Sequence, residues 1–286
     1  MAKYETYQAR ADEARAEALA ATTSPYTIEV RFLGGLSDNQ QAAFSAAADR
    51  WTRMIVGDLP AVTVDGEVID DVLILAMGAD IDGPGRILGQ AGATHLRPPA
   101  AGDAANLPAK GIMKFDTADL EKMEAQGTLG DVITHEMGHV LGISATIWRL
   151  KGLLERENSD DPIFVGRGGL EEYQVLRGPD ARPGVPVENT GGPGTRLSHW
   201  RESVFHNELM SGFIAASGNP LSRMTVASLG DMGYQVDRDA AEPYQLPDLL
   251  ALAEEGALVA HEAPIDVGLM MPTIPQVLPE DSIDTR

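Results

Sequence analysis

The chain has no cysteine, which excludes disulfides, thiolate metal ligands and any cysteine-based switch. A bound metal would therefore rest on His, Asp or Glu. Positive charge is also scarce. Against 43 Asp and Glu stand only 22 Lys and Arg, a formal net charge of −21 that repels phosphate. Nucleic acid and anionic membrane surfaces are thus poor partners. No apolar run is long enough to span a bilayer, and residues 1–23 lack the apolar core of a signal peptide. These absences predict a soluble protein without membrane insertion. They place it in the cytoplasm, or outside the cell as a mature form or by a route that reads no N-terminal signal.

What is present is enough for a substantial core: 286 residues, of which 43% are apolar. Within it stands Gly130-Asp131-Val132-Ile133-Thr134-His135-Glu136-Met137-Gly138-His139-Val140-Leu141-Gly142. Residues four apart lie one turn above each other on a helix. His135 and His139 can then present two imidazole nitrogens to one ion, with Glu136 one position round to hold a water without ligating. That is the spacing of a zinc hydrolase. An ordinary buried helix with two hydrogen-bonded histidines is the plain alternative.

Read in order, residues 3–21 form a polar, Ala-rich helix, and residues 1–24 an N-terminal extension. Residues 26–33 alternate as a strand. Ser37 or Asp38 caps a helix to about residue 56 with an apolar stripe through Phe44, Ala47 and Trp51. Residues 72–77 read as a central strand covered on both faces. Asp80-Ile81-Asp82-Gly83-Pro84-Gly85 is a turn or a Ca2+ loop using Asp80, Asp82 and backbone carbonyls. Residues 87–96 and 111–115 are further strands. Asp116 or Thr117 opens a helix that Gly127 closes, and the histidine helix follows. Gly and Pro concentrate over residues 178–194, marking 143–198 as an insertion. A capped helix covers residues 225–232, and 242–286 is an acidic, Pro-punctuated tail with one helical stretch at 246–258.

Catalytic zinc usually takes three protein ligands and a water. In one common arrangement the third is a His six residues after the second, but that position is Ala145. Spacing leaves two options open: His199, just upstream of Glu208-Leu209-Met210-Ser211-Gly212, or a glutamate among Glu155, Glu157, Glu171 and Glu172, as in a gluzincin.

The helix motif, then Ser198-His199-Trp200, Glu208-Leu209-Met210-Ser211-Gly212 and Leu229-Gly230-Asp231-Met232-Gly233-Tyr234, together resemble the leishmanolysin family of metzincin zinc endopeptidases. In that family an inserted segment separates the third ligand from the helix, here residues 143–198 (198 − 142 = 56 residues). The resemblance implies an α+β, metzincin-like zincin. Residues 25–142 would be an upper lobe with a twisted mixed sheet, a backing helix and the active-site helix. Residues 199–241 would be an irregular, helical lower lobe.

The resemblance also implies that His135, His139 and His199 bind one catalytic Zn2+. Glu136 would be general base and acid for a metal-activated water, and Met210 the Met-turn beneath the metal. Gly89, Gln90, Ala91, Gly92 and Ala93 would be the edge strand that pairs with an extended protein or peptide substrate. Disulfides and cysteine-switch latency do not carry over to a chain without cysteine, which resembles a compact bacterial-type member. The function expected is hydrolysis of peptide bonds in proteins. A non-catalytic zinc-binding protein is the alternative from another class.

Overall fold

The chain enters as a strand where a helix is predicted. In the computed structural model, which describes residues 4–83, 85, 87–178, 182–192, 194–214, 218–248 and 270–284, β1 (Glu5–Arg10) precedes α1 (Glu13–Ala20). Asp12 caps α1 by accepting from the Arg15 N–H at 2.9 Å. The helix expected over residues 3–21 therefore keeps only its second half. Residues 5–10 pair antiparallel with β2 (Thr27–Phe32), Glu5 opposite Phe32 and Arg10 opposite Thr27. Of β1 only Ala9 is buried, so no alternation betrays the strand locally. A long-range ladder overrides helix preferences of about 0–0.7 kcal/mol per residue.

Most of the next elements fall near where the sequence places them, but the helix expected to residue 56 ends at Thr52 and the hairpin over residues 62–69 was not expected. Ser37 accepts from the Gln40 N–H and the Gln40 side chain returns the bond, a capping box that starts α2 (Asp38–Thr52). Its Phe44, Ala47 and Trp51 are buried. A hairpin of β3 (Val62–Val64) and β4 (Glu67–Ile69) leads to β5 (Val72–Ala79), then β6 (Gly89–Leu96) and β7 (Pro108–Asp116). β5 lies between β2 and β7 and is parallel to both, whereas β6 is antiparallel to β7. Asp116 caps α3 (Thr117–Gln126), Gly127 closes it, and α4 (Leu129–Val140) follows, packed between α2 and the sheet.

The second half is short elements on long connections. α5 (Ala145–Leu150), β8 (Leu154–Glu155), β9 (Ile163–Phe164), α6 (Arg167–Arg177) and β10 (Val185–Pro186) precede α7 (Glu202–Phe205) and α8 (Arg223–Met232). β8, β9 and β10 form a small antiparallel sheet. α6 packs along α8, where Asp231 accepts the Gly168 and Gly169 N–H groups at 2.7 and 2.8 Å. The stacked Trp148 and Trp200, ring centroids 5.1 Å apart, tie this half to the main core.

One expectation changes here. β6 is not the outermost strand, because β11 (Met270–Pro272) and β12 (Gln276–Val277) run parallel along its outer side. The resulting sheet is mixed and seven-stranded, in the order β1-β2-β5-β7-β6-β11 with β12 also on β6. The helix expected at residues 246–258 lies, from 249 onward, outside the described residues. The α+β class holds. No helix among the described residues is long and apolar enough to cross a membrane.

The Ca2+ reading of Asp80 and Asp82 finds no support. The Ile81, Asp82 and Gly83 N–H groups all donate to one Asp116 oxygen, at 2.8, 3.0 and 3.2 Å. A loop that turns its amides inward suits an anionic oxygen, here the chain's own carboxylate, whereas Ca2+ requires inward carbonyls. Asp82 itself accepts from the Ile87 N–H at 3.3 Å. Among the described residues, neither Asp80 nor Asp82 belongs to a cluster of potential metal ligands.

Candidate metal centre

α4 carries His135, Glu136 and His139 on its cleft side while its opposite side meets α2. The Trp51 Nε1–H donates to the Thr134 carbonyl at 2.9 Å, fixing the two helices side by side. Gly138 sits at this crossing. A Cβ there would stand 2.7 Å from Met210 Sδ and 2.9 Å from Trp51 Cζ2. At a roomy helical site Gly→Ala gains about 1 kcal/mol. Here overpacking reverses the sign, and Gly138→Ala is expected to lose about 1–3 kcal/mol. A thermal melt checks this, and an unchanged or raised Tm would contradict the close packing.

Each histidine is oriented through its far nitrogen. His135 Nδ1 lies 2.7 Å from the Leu209 carbonyl, His139 Nδ1 2.6 Å from that of Ile143, and His199 Nδ1 2.8 Å from that of Thr195. A carbonyl only accepts, so every Nδ1 must carry the proton and every Nε2 an open lone pair. The three Nε2 atoms converge at 3.1, 3.1 and 3.0 Å from one another. With no proton among them these contacts are not hydrogen bonds, and three lone pairs so close call for a cation. Nitrogens bound tetrahedrally to zinc at about 2.0–2.1 Å stand about 3.3 Å apart, so the set fits the ion. Burial, and for His135 and His199 the neighbouring imidazoles, holds all three below the usual histidine range, His135 down to about 3. They are neutral at physiological pH, the form a metal requires.

Local chain geometry explains the arrangement. Gly142 ends α4 at φ +106°, a conformation that favours glycine, and the turn brings the Ile143 carbonyl back to His139. The Tyr234 hydroxyl donates to the Leu141 carbonyl at 2.9 Å, steadying the same end. Ala145, at the position a short motif would give to its third histidine, donates its N–H to Ser198 Oγ at 3.2 Å. The insertion thus leaves and returns at one point, delivering His199 beside α4. Trp200 holds that return through its Nε1–H to Thr225 Oγ1 at 2.8 Å and its N–H to the Met210 carbonyl at 2.9 Å.

Below the histidines lies a turn whose organiser the sequence reading passed over. The buried Glu208 carboxylate accepts from the Met210 N–H at 2.6 Å, and from the Ser222 hydroxyl at 2.7 Å and the Thr225 hydroxyl. It thereby fixes both Met210 and the Leu209 carbonyl that orients His135. Its position directly before Leu209-Met210, with Ser222 and Thr225 as hydroxyl donors further along the chain, was the available signal.

Glu136 is 7% exposed, and its buried Oε2 has no hydrogen-bond partner among the described residues. Burial pushes its carboxyl up to about 8; a divalent cation beside it would draw it down again. Glu136 faces a cleft of about 660 Å³ together with the histidines, the Ala91–Ala93 part of β6 and, unforeseen, Met270 and residues 272–275 of the tail. An orphaned buried acceptor costs about 1–3 kcal/mol unless a molecule in the cleft completes it.

The glutamates weighed as ligands stay away. Glu157 pairs with Arg149 at 2.6 Å, Glu171 with Arg167 at 2.7 Å and Glu172 with Arg223 at 3.3 Å, while Glu155 is exposed on β8. A second acidic group, Asp58, Asp70 and Asp71, lies within ligand distance of itself. Its buried member Asp71 already accepts from the Thr27 and Leu59 N–H groups, both at 2.8 Å.

Comparison with known proteins gives one family. The leishmanolysin family model (peptidase M8) matches residues 101–248, slightly more than half of the chain, and the match contains all three histidines. Leishmanolysin of Leishmania chagasi is 29% identical over 142 residues, 47% of this chain and 23% of that protein. A leishmanolysin-like peptidase of Caenorhabditis elegans is 43% identical over 74 residues, 25% of this chain and 11% of the other. A leishmanolysin homolog of Crithidia fasciculata is 26% identical over 133 residues, 44% of this chain and 20% of its own length. The chain therefore aligns with under a quarter of these relatives.

Proposed function

Because this chain belongs to the leishmanolysin family, we propose that it is a zinc-dependent endopeptidase with His135, His139 and His199 as ligands and Glu136 as general base and acid. The observation that carries the reading is the convergence of three unprotonated Nε2 atoms beside a buried carboxylate with an unused oxygen. Zinc held there would supply Lewis acidity that activates water and polarises a scissile carbonyl.

The chain's own groups do the rest. Glu136 accepts the proton of the attacking water and passes it to the departing amine. Burial raises the carboxyl and a cation held by the histidines would lower it, and these opposing influences set how readily it takes and gives a proton. The carbonyls of Leu209, Ile143 and Thr195 hold the ligand rings in the right tautomer. Met210 and its turn, pinned by Glu208, form the Met-turn floor of the site. On this reading residues 25–142 are the upper lobe, 143–198 an insertion and 199–241 the lower lobe.

A closed, structural zinc site needs four protein ligands. Among the described residues the histidine group has three members, which favours an open position toward the cleft. Digestion of a denatured protein such as casein by the zinc-loaded chain tests the proposal. Internal fragments are the expected products; release of terminal residues alone would argue against an endopeptidase.

A further inference from the structure

The sheet edge beside the metal centre carries a strand from the far end of the chain. β11 runs parallel to β6 with Met270 opposite Gly89 and Pro272 opposite Ala91, and β12 resumes with Gln276 opposite His95. Between them the Thr273 hydroxyl donates to the Ala93 carbonyl at 2.6 Å, while Ile274 swings outward, 97% exposed. β6 is shaped for this contact. Gly92 has φ +141°, and a Cβ on it would lie 2.4 Å from Thr273 Oγ1. Met270, Pro272 and Thr273 line the same cleft as His135 and Glu136.

The tail is held unevenly. Downstream, Leu278 is buried among Val62, Val64, Ile69 and Leu73, and donates its N–H to the Leu96 carbonyl at 2.9 Å. The Asp284 N–H reaches the Ala61 carbonyl at 2.8 Å, and Glu280 accepts from the Ala100 N–H at 2.9 Å. Upstream, β11 is three residues long, with Met271 and Pro272 exposed. A proline is at home in such an outermost strand. The anchor thus keeps a weakly paired strand beside β6, at an effective concentration on the order of millimolar.

One strand edge offers one row of N–H and C=O groups, so two extended chains cannot pair with the same stretch. We propose that residues 270–275 hold the slot on β6 that an extended substrate would take, making the tail a resident and displaceable competitor at the cleft. The proposal rests on the peptidase reading for its consequence, but not for its test.

The test replaces Met270→Gly, Met271→Ser, Pro272→Gly and Thr273→Ala together, leaving residues 275–284 to anchor the fold. In a zinc-loaded Glu136→Gln background nothing is cut, and a labelled peptide of the tail's own sequence, Gly-Leu-Met-Met-Pro-Thr-Ile-Pro, reports access to the slot. The replaced tail is expected to lower its Kd at least tenfold relative to the intact tail. Thr273→Val, which loses only the hydroxyl bond to Ala93, is expected to give a smaller shift in the same direction. Equal or weaker binding by both variants would overturn the proposal. With Glu136 restored, the replaced tail is expected to raise kcat/KM on a peptide, mainly by lowering KM. Gained peptide binding with no cleavage by either protein would uphold the competition and refute the peptidase reading instead.

Discussion

A Glu136→Ala chain is expected to keep a full equivalent of zinc and to lose about 100- to 10,000-fold in kcat. Glu136 is outside the group of converging ligand atoms, so the three histidine nitrogens survive the change. What disappears is, among the described residues, the one carboxylate that lines the cleft beside them. KM should move little, because the lost interaction belongs to proton transfer rather than to holding the peptide. Stability separates this role from a structural one. Glu136 Oε2 has no partner among the described residues, so removing the side chain should leave the Tm of the metal-free protein unchanged or higher. A marked fall in Tm, or a wild-type kcat, would place the catalytic group elsewhere.

The second large effect is on the metal itself. His199→Ala takes away one of three ligands and is expected to weaken zinc binding by well over 100-fold, since changes merely behind a ligand already cost about 10- to 100-fold. Activity should vanish with the metal. Glu157→Ala is the matching control for a glutamate ligand. Glu157 is spent on Arg149, so that variant should retain zinc and turnover. Metal analysis after dialysis reads both. A His199→Ala chain that keeps its zinc, or a Glu157→Ala chain that loses it, would reverse the ligand assignment.

Elements fixed by short-range chemistry were legible in the sequence. Ser37 announces α2, Asp116 and Gly127 bound α3, and the spacing of His135 and His139 places both on one face of α4. Features decided by distant partners were not. Residues 5–10 are a strand only because β2 offers them an edge. The choice between His199 and a downstream glutamate turned on where a long insertion returns, which the Ala145–Ser198 bond records and no local pattern does. Residues 270–277 read as part of an acidic, Pro-punctuated tail, although Met270-Met271 is an apolar pair within it. Their pairing depends on β6 being open on its outer side, a property of the assembled sheet.

The most direct measurement is casein hydrolysis by metal-stripped protein titrated with zinc. The expected course is silence without metal, then a rate that climbs to a plateau at one zinc per chain. Hydrolysis that persists after stripping would contradict the zinc chemistry. One zinc taken up with no hydrolysis, by either the intact or the tail-replaced chain, would make this a zinc-binding protein and not a peptidase.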